Sequence, residues 1–233
     1  NSTTVRTFDS IVCPHASTEF GFKIPDDVLV KTTFVGPIVR EPKPAETLAL
    51  KDKYAIRDDS FVLISTCGGG GFRADAEFML ESMTKADSAI RAVIGDIDHL
   101  FFLGPRYTGT VDTRSPMRIE NSESQLASLF PLCDLVVAAA GFNTVNELLA
   151  AKTPAVFLPG TRRYDDQAER VLALEKHGLA RVMVDRDSDS VSKSIADFCA
   201  SRESIGQIRH SLVTSGFQPG NRMAADVILT TTK

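Results

Sequence analysis

Short, unbroken apolar runs recur along the chain, and most are followed by a segment of helical periodicity. This alternation restricts the possible folds more than any other feature. Phe61–Thr66 (FVLIST) is the clearest run; Phe8–Cys13, Thr32–Val35, Phe101–Leu103, Met117–Glu120, Leu135–Ala139, Ala155–Leu158 and Ala180–Val184 are the others. A strand with one solvated face alternates apolar and polar residues, whereas continuous runs belong to parallel strands covered on both faces. Between the runs, Ala76, Met79, Leu80 and Met83 recur at helical spacing in 73–87. Ala168, Val171, Leu172 and Leu174 do the same in 165–177, a pattern that stops at Gly178. Residues 190–201 and 220–229 also read as helices. The expectation is an α/β layer sandwich with a doubly wound, mostly parallel, Rossmann-like sheet. The segment 41–46 (EPKPAE) reads as a surface loop or linker ahead of that body.

Composition excludes several function classes. With 43% hydrophobic and 24% charged residues in 233, the chain is of the ordinary globular type. A net charge of −4 with interspersed signs argues against a general nucleic-acid binder, which carries a basic patch. No apolar run approaches the roughly 18 residues of a spanning helix, and the chain opens on polar residues rather than a secretory signal. Cys13, Cys67, Cys133 and Cys199 are too widely spaced for a zinc site and read as reduced, buried thiols. His15, His99, His177 and His210 are scattered and read as surface or core residues, so no metal is expected. Asp185–Asp189 reads as a solvated loop.

Three blocks follow the ends of strands. The first is Gly68, Gly69, Gly70 and Gly71, between FVLIST and a helix. Glycines allow a sharp turn and close backbone approach, and amides at a helix start attract phosphate. Gly69-x-Gly71-x-x-Ala74 loosely satisfies the dinucleotide pattern, but the next run ends in Gly104-Pro105, without the carboxylate that holds a ribose. The bland alternative is a tight turn with no ligand. The second block is Ala138–Glu147, containing Gly141, Phe142, Asn143, Thr144 and Glu147. A helix expected from about Thr144 has the capping-box spacing Thr144-x-x-Glu147. In the alternative reading, its N-terminus faces the same crevice as the glycine loop, and Glu147 accepts hydrogen bonds from ribose hydroxyls. The third block, Arg162–Gln167, ends in Asp166 and Gln167, suited to sugar hydroxyls or simply exposed in a first helical turn.

Together these blocks resemble the C-terminal, donor-binding domain of family 28 glycosyltransferases of the GT-B fold, with the peptidoglycan GlcNAc transferases (MurG-like) nearest. The likeness runs from about Phe61 to Val184 and rests on the GGGG loop, CDLVVAAAGFNTVNELLAAKTPAVFLP and DDQAERVLALEKHGLA. It implies a nucleotide-sugar substrate, with UDP as the nucleotide. Gly68–Gly71 would line the diphosphate, Asn143 and Thr144 would meet the phosphates, Glu147 would hold the ribose, Asp166 and Gln167 would hold sugar hydroxyls, and backbone near 119–123 would meet the uracil. The sequence departs from the family at Gly70, usually Ser, at Phe72, usually small, and at Asp166, which replaces a Gln used for GlcNAc. The donor sugar therefore stays open.

The resemblance further implies that 1–44 ends an N-terminal acceptor domain or interdomain segment, and that 45–233 is the donor domain. The acceptor site then lies in a missing N-terminal domain or a partner subunit, on a cytoplasmic enzyme peripheral to a membrane through that missing part. The full protein would be a hexosyltransferase and this chain inactive alone. The alternatives are a split transferase needing a partner chain, a non-catalytic nucleotide-sugar module, and a UDP-GlcNAc 2-epimerase-like enzyme. The scattered acid and His set of the epimerases finds no support in this sequence.

Overall fold

The computed structural model describes residues 2–19, 23–111, 115–160 and 166–231. Its helices are α1 (Ser2–Val5), α2 (Asp26–Leu29), α3 (Pro44–Tyr54), α4 (Arg73–Ile94), α5 (Phe142–Ala151), α6 (Gln167–Lys176), α7 (Ser188–Ala200), α8 (Arg202–Thr214) and α9 (Asn221–Thr231). Its strands are β1 (Ile11–Cys13), β2 (Thr32–Phe34), β3 (Phe61–Thr66), β4 (Ile97–Phe102), β5 (Arg118–Glu120), β6 (Leu135–Ala139), β7 (Ala155–Leu158) and β8 (Arg181–Val182). They form two compact units, residues 41–216 and residues 1–40 with 217–233.

The larger unit is built on a six-stranded sheet in the order β5-β4-β3-β6-β7-β8, every neighbouring pair parallel. The order reverses between β3 and β6, the point at which doubly wound sheets open a ligand crevice at their strand ends. Right-handed crossovers leaving β3 and β6 in opposite directions put α4 on one face and α5 on the other. On the first face Phe61, Leu63, Phe101, Leu135, Val137 and Val156 pack with Met79, Met83 and Ile90 of α4 and Val191 and Ile195 of α7. The intervening residues Val62, Ile64, Phe102, Val136 and Phe157 are buried as well, and Tyr54 of α3 meets Phe102 edge to face at 5.8 Å. Burial on both faces is why the strands read as unbroken apolar runs.

Several expected elements change. The segment 41–46 is not all loop: Pro44 opens α3 at a first-turn position, where its missing N–H is no loss, and Ala55 closes the helix in the left-handed conformation at φ 49°. Strand β4 starts four residues before the expected Phe101. Asp98 and His99 broke the apolar pattern, yet Asp98 accepts the Arg57 N–H at 2.9 Å and His99 is buried with polar partners. Helix α4 runs on to Ile94, beyond the expected Asp87. Helix α8 was not expected, although Ile205, Ile208 and Leu212 form its buried stripe behind a Ser201 cap.

In the smaller unit β1 and β2 pair in parallel, Ile11 against Thr32. The Gly220 N–H donates to the Pro37 carbonyl at 2.7 Å, and the Asn221 side chain bonds both the N–H and the C=O of Val39, at 2.9 and 2.8 Å. These bonds group residues 217–233 with 1–40, whereas the sequence reading ran a single domain from 45 to 233.

Candidate functional site

A cavity of about 820 Å³ opens at the reversal point of the sheet, over the ends of β3, β6 and β7. Nine of the expected residues line it: Gly68, Gly69, Gly70, Gly71, Gly141, Phe142, Asn143, Thr144 and Gln167. Glu147 and Asp166 do not. Glu147 is half-buried on α5, nearly two turns in from its Gly141 N-cap. Asp166 is the N-cap of α6, its carboxylate accepting the Glu169 N–H at 3.0 Å. Gln167 is buried rather than exposed, and its Oε1 accepts the Gly160 N–H at 3.1 Å. Arg162, Arg163, Tyr164 and Asp165 of the third block lie outside the described residues. The stretch 119–123 does not line the cavity, and the Glu123 carboxylate is engaged by Lys53 at 2.6 Å and the Tyr54 hydroxyl at 2.8 Å.

The four glycines do different jobs. Gly68 and Gly70 both take φ 63°, a left-handed conformation that glycine adopts without strain. A Cβ on Gly70 would lie 2.5 Å from the Leu103 carbonyl oxygen, while one on Gly69 would meet nothing within 4 Å. Gly104, at φ 95°, backs onto Gly68–Gly70 so closely that it too admits no side chain. The loop after β3 and the loop after β4 thus interlock, helped by the Arg106 N–H donating to the Gly69 carbonyl at 3.2 Å and the Cys67 N–H to Phe102 at 3.0 Å. Gly70 serves packing, and Gly69 leaves the cavity wall open.

Two helices begin on this cavity. Helix α4 follows an extended Phe72, which makes no side-chain capping bond, and α5 follows an extended Gly141 at φ −66°, ψ 143°, which has no side chain to make one. This corrects the capping-box reading: α5 starts two residues before Thr144, so Thr144 stands inside its first turn rather than at its cap. The first N–H groups of a helix have no partner within the helix and carry its positive dipole end, so two such ends on one cavity suit an anion. The α5 turn is braced from α6, where Arg170 donates to the Ala140 carbonyl at 3.1 Å and stacks 5.5 Å from the Phe142 ring.

Sequence reasoning missed Asp75, Arg106 and Arg186, the charged residues among the described lining. Arg186 is bonded to Asp75 at 2.6 Å and lies over the Phe78 ring at 4.3 Å. Both arginines follow strands β4 and β8 at their carboxyl ends, so the strand-end rule that singled out the other blocks could have found them. Cys67 also lines the cavity, but burial, aided by the nearby Asp75, pushes its thiol up to about 12. It is no nucleophile near neutral pH.

Beneath the glycine loop, the Ser65 hydroxyl lies 3.0 Å from His99 Nε2, and His99 Nδ1 lies 2.7 Å from Asp87. All three are buried. Burial holds the imidazole below its usual pKa against the pull of Asp87. Cut off from solvent, the set ties α4 to β3 and β4 rather than acting on a substrate. Among the described residues no acidic, His or Cys cluster could hold a metal ion, and no helix is long and apolar enough to cross a membrane.

The sequence profile of the glycosyltransferase family 28 C-terminal domain matches residues 75–216. The UDP-N-acetylglucosamine–N-acetylmuramyl-(pentapeptide) pyrophosphoryl-undecaprenol N-acetylglucosamine transferase of Geobacillus thermodenitrificans is 26% identical over 165 residues, covering 67% of this chain and 44% of that protein. The enzyme of the same name from Prochlorococcus marinus is 23% identical over 180 residues, 75% of this chain and 47% of that protein. This chain therefore spans about half the length of the curated relatives it matches. Among solved structures, Acinetobacter baumannii MurG superposes with a TM-score of 0.62 at 16% identity, over 98% of this chain and 63% of that one. Spinosyn rhamnosyltransferase SpnG complexed with thymidine diphosphate gives 0.61 at 14% identity, over 94% and 56%. The shared architecture is that of GT-B glycosyltransferases. By profile match across most of its length and by fold, the chain belongs to the glycosyltransferase family 28 C-terminal domain family.

Proposed function

We propose that this chain is the donor-binding half of a glycosyltransferase that uses a nucleoside-diphosphate sugar, with UDP as the nucleotide. The carrying observation is that the glycine loop and the N-termini of α4 and α5 meet on one cavity where the strand order reverses. In this reading the diphosphate lies against Gly68–Gly71, Asn143 and Thr144, and Gln167 faces the sugar. Glu147, within α5, is assigned to the ribose, and Asp166, beside Gln167 at the start of α6, to the sugar hydroxyls. The preference for UDP is supported by the relatives' names, which specify a UDP-sugar. The reaction is a displacement at the anomeric carbon: the bond from an acceptor hydroxyl oxygen forms as the bond to the diphosphate oxygen breaks, and the hydroxyl proton passes to a base supplied with the acceptor site outside this chain. The charge gathering on the departing diphosphate is met by the helix ends and loop amides. The nucleotide sugar is a substrate, and the proposal calls on no cofactor. The acceptor site is supplied outside this chain, by a further domain or a partner subunit, in a cytoplasmic enzyme that works at a membrane surface.

Titration calorimetry of the chain with UDP, ADP, GDP and dTDP tests this. Saturable binding of UDP in preference to the others is expected, without sugar transfer by the chain alone. Failure to bind any nucleoside diphosphate overturns the reading.

A further inference from the structure

We propose that Arg106 is the cation that receives the distal phosphate of the donor, an inference that rests on the donor-binding reading and assigns the site to diphosphates rather than monophosphates. Of the charged residues among the described lining, Asp75 and Arg186 neutralise one another through their 2.6 Å bond. Arg106 remains: among the described residues no carboxylate pairs with its guanidinium, and the side chain is exposed. Its stem runs along Gly71, where a Cβ would lie 3.4 Å from the Arg106 Cδ. Its backbone is fixed by the interlocked loops, through its own N–H on Gly69 and the Tyr107 N–H on Gly104 at 3.1 Å. The main chain is thus held while the cationic head stays available at the wall of an anion-favouring cavity.

The layout also orders the phosphates. Gly68 backs onto the α5 end, where its Cβ would lie 3.7 Å from the Thr144 hydroxyl oxygen. Helix α5 carries Glu147, the proposed ribose acceptor, so the phosphate nearer the nucleoside belongs at Gly68 and Thr144. Gly71 and Arg106 lie at the α4 end, and α4 packs on the opposite face of the sheet, so the next phosphate out belongs there. A guanidinium forms two parallel charge-assisted hydrogen bonds with a phosphate.

The test is calorimetric titration of the full chain and its Arg106→Gln and Arg106→Lys variants with UDP and with UMP. Arg106→Gln is expected to weaken UDP binding about 10-fold and to leave UMP within about twofold, with Arg106→Lys recovering much of the loss. The melting temperature should not move, because the side chain is exposed. Unchanged UDP affinity in Arg106→Gln overturns the inference while the donor reading stands. Equal weakening of UDP and UMP also overturns it, because the contact then belongs to the proximal phosphate. A wild-type chain that binds neither nucleotide overturns the donor reading, and this inference with it.

Discussion

Alanine at position 70 would place its Cβ 2.5 Å from the Leu103 carbonyl oxygen and 3.1 Å from both the Gly104 carbonyl oxygen and the Tyr107 amide nitrogen. All three are main-chain atoms, so no side chain can swing aside. Alanine at φ 63° costs about 1 kcal/mol over glycine. Forcing the two loops apart costs about 1–3 kcal/mol more, the usual range for overpacking. The expected total for Gly70→Ala is about 2–4 kcal/mol. Gly69→Ala is the matched control: its Cβ meets nothing within 4 Å, and its stability should stay within about 0.5 kcal/mol of wild type. The assay is urea denaturation by circular dichroism with hydrogen exchange of the β3 amides, which localises the effect to the larger unit. A loss of 2–4 kcal/mol lowers protection of globally exchanging amides about 30- to 700-fold. Gly69→Ala should instead weaken UDP binding, because its methyl occupies open cavity wall. Wild-type stability in Gly70→Ala, or equal destabilisation by the two variants, would refute the division of labour argued for the loop.

Asp166→Ala removes the carboxylate that caps α6, and should cost about 1 kcal/mol in a thermal melt; Asp166→Asn should cost less. If Asp166 also meets the donor, Asp166→Ala will weaken UDP-sugar binding more than UDP binding. Glu147→Ala is expected to lower UDP affinity more than stability, by calorimetry alongside a melt; a large stability loss with unchanged affinity makes Glu147 structural. Burial favours protonation of Glu123, but hydrogen bonds from Lys53, the Gln125 N–H and Tyr54 outweigh it and hold the carboxyl at about 2. A depressed carboxylate stabilises the fold above its unfolded pKa, and that contribution fades as pH falls from about 4.5 towards 2. Allowing for solvent around the exposed Lys53, it amounts to about 1–2 kcal/mol. Glu123→Gln should flatten that part of the acid limb in denaturation midpoints measured from pH 5 to 2.

The legibility of the sequence followed the range of the forces involved. The parallel sheet was readable because β3, β6 and β7 are covered on both faces and tolerate almost no polar residue. Strand β4 was half hidden because its Asp98 and His99 are satisfied by Arg57, Asp87 and Ser65, residues 12 to 41 positions away. Helix α3 was masked by Pro42 and Pro44: Pro42 precedes the helix, and Pro44 stands in its first turn, where a proline does not break it.

The same distinction runs through the site. Local chemistry in the sequence pointed to an anion-binding turn at 68–71, a small-residue turn into a helix at 141–144, and a family whose pattern joins them. Such features depend on neighbours a few residues apart, which a linear reading contains. Only the tertiary structure decided that Gly70 serves packing while Gly69 faces open space, that Glu147 and Asp166 stand off the cavity, and that Arg186 is neutralised by Asp75 while Arg106 has no such partner among the described residues. The packing of Gly70 against Leu103 and the pairing of Asp75 with Arg186 turn on atoms far apart in sequence meeting within about 4 Å, the reach of van der Waals and ion-pair contact.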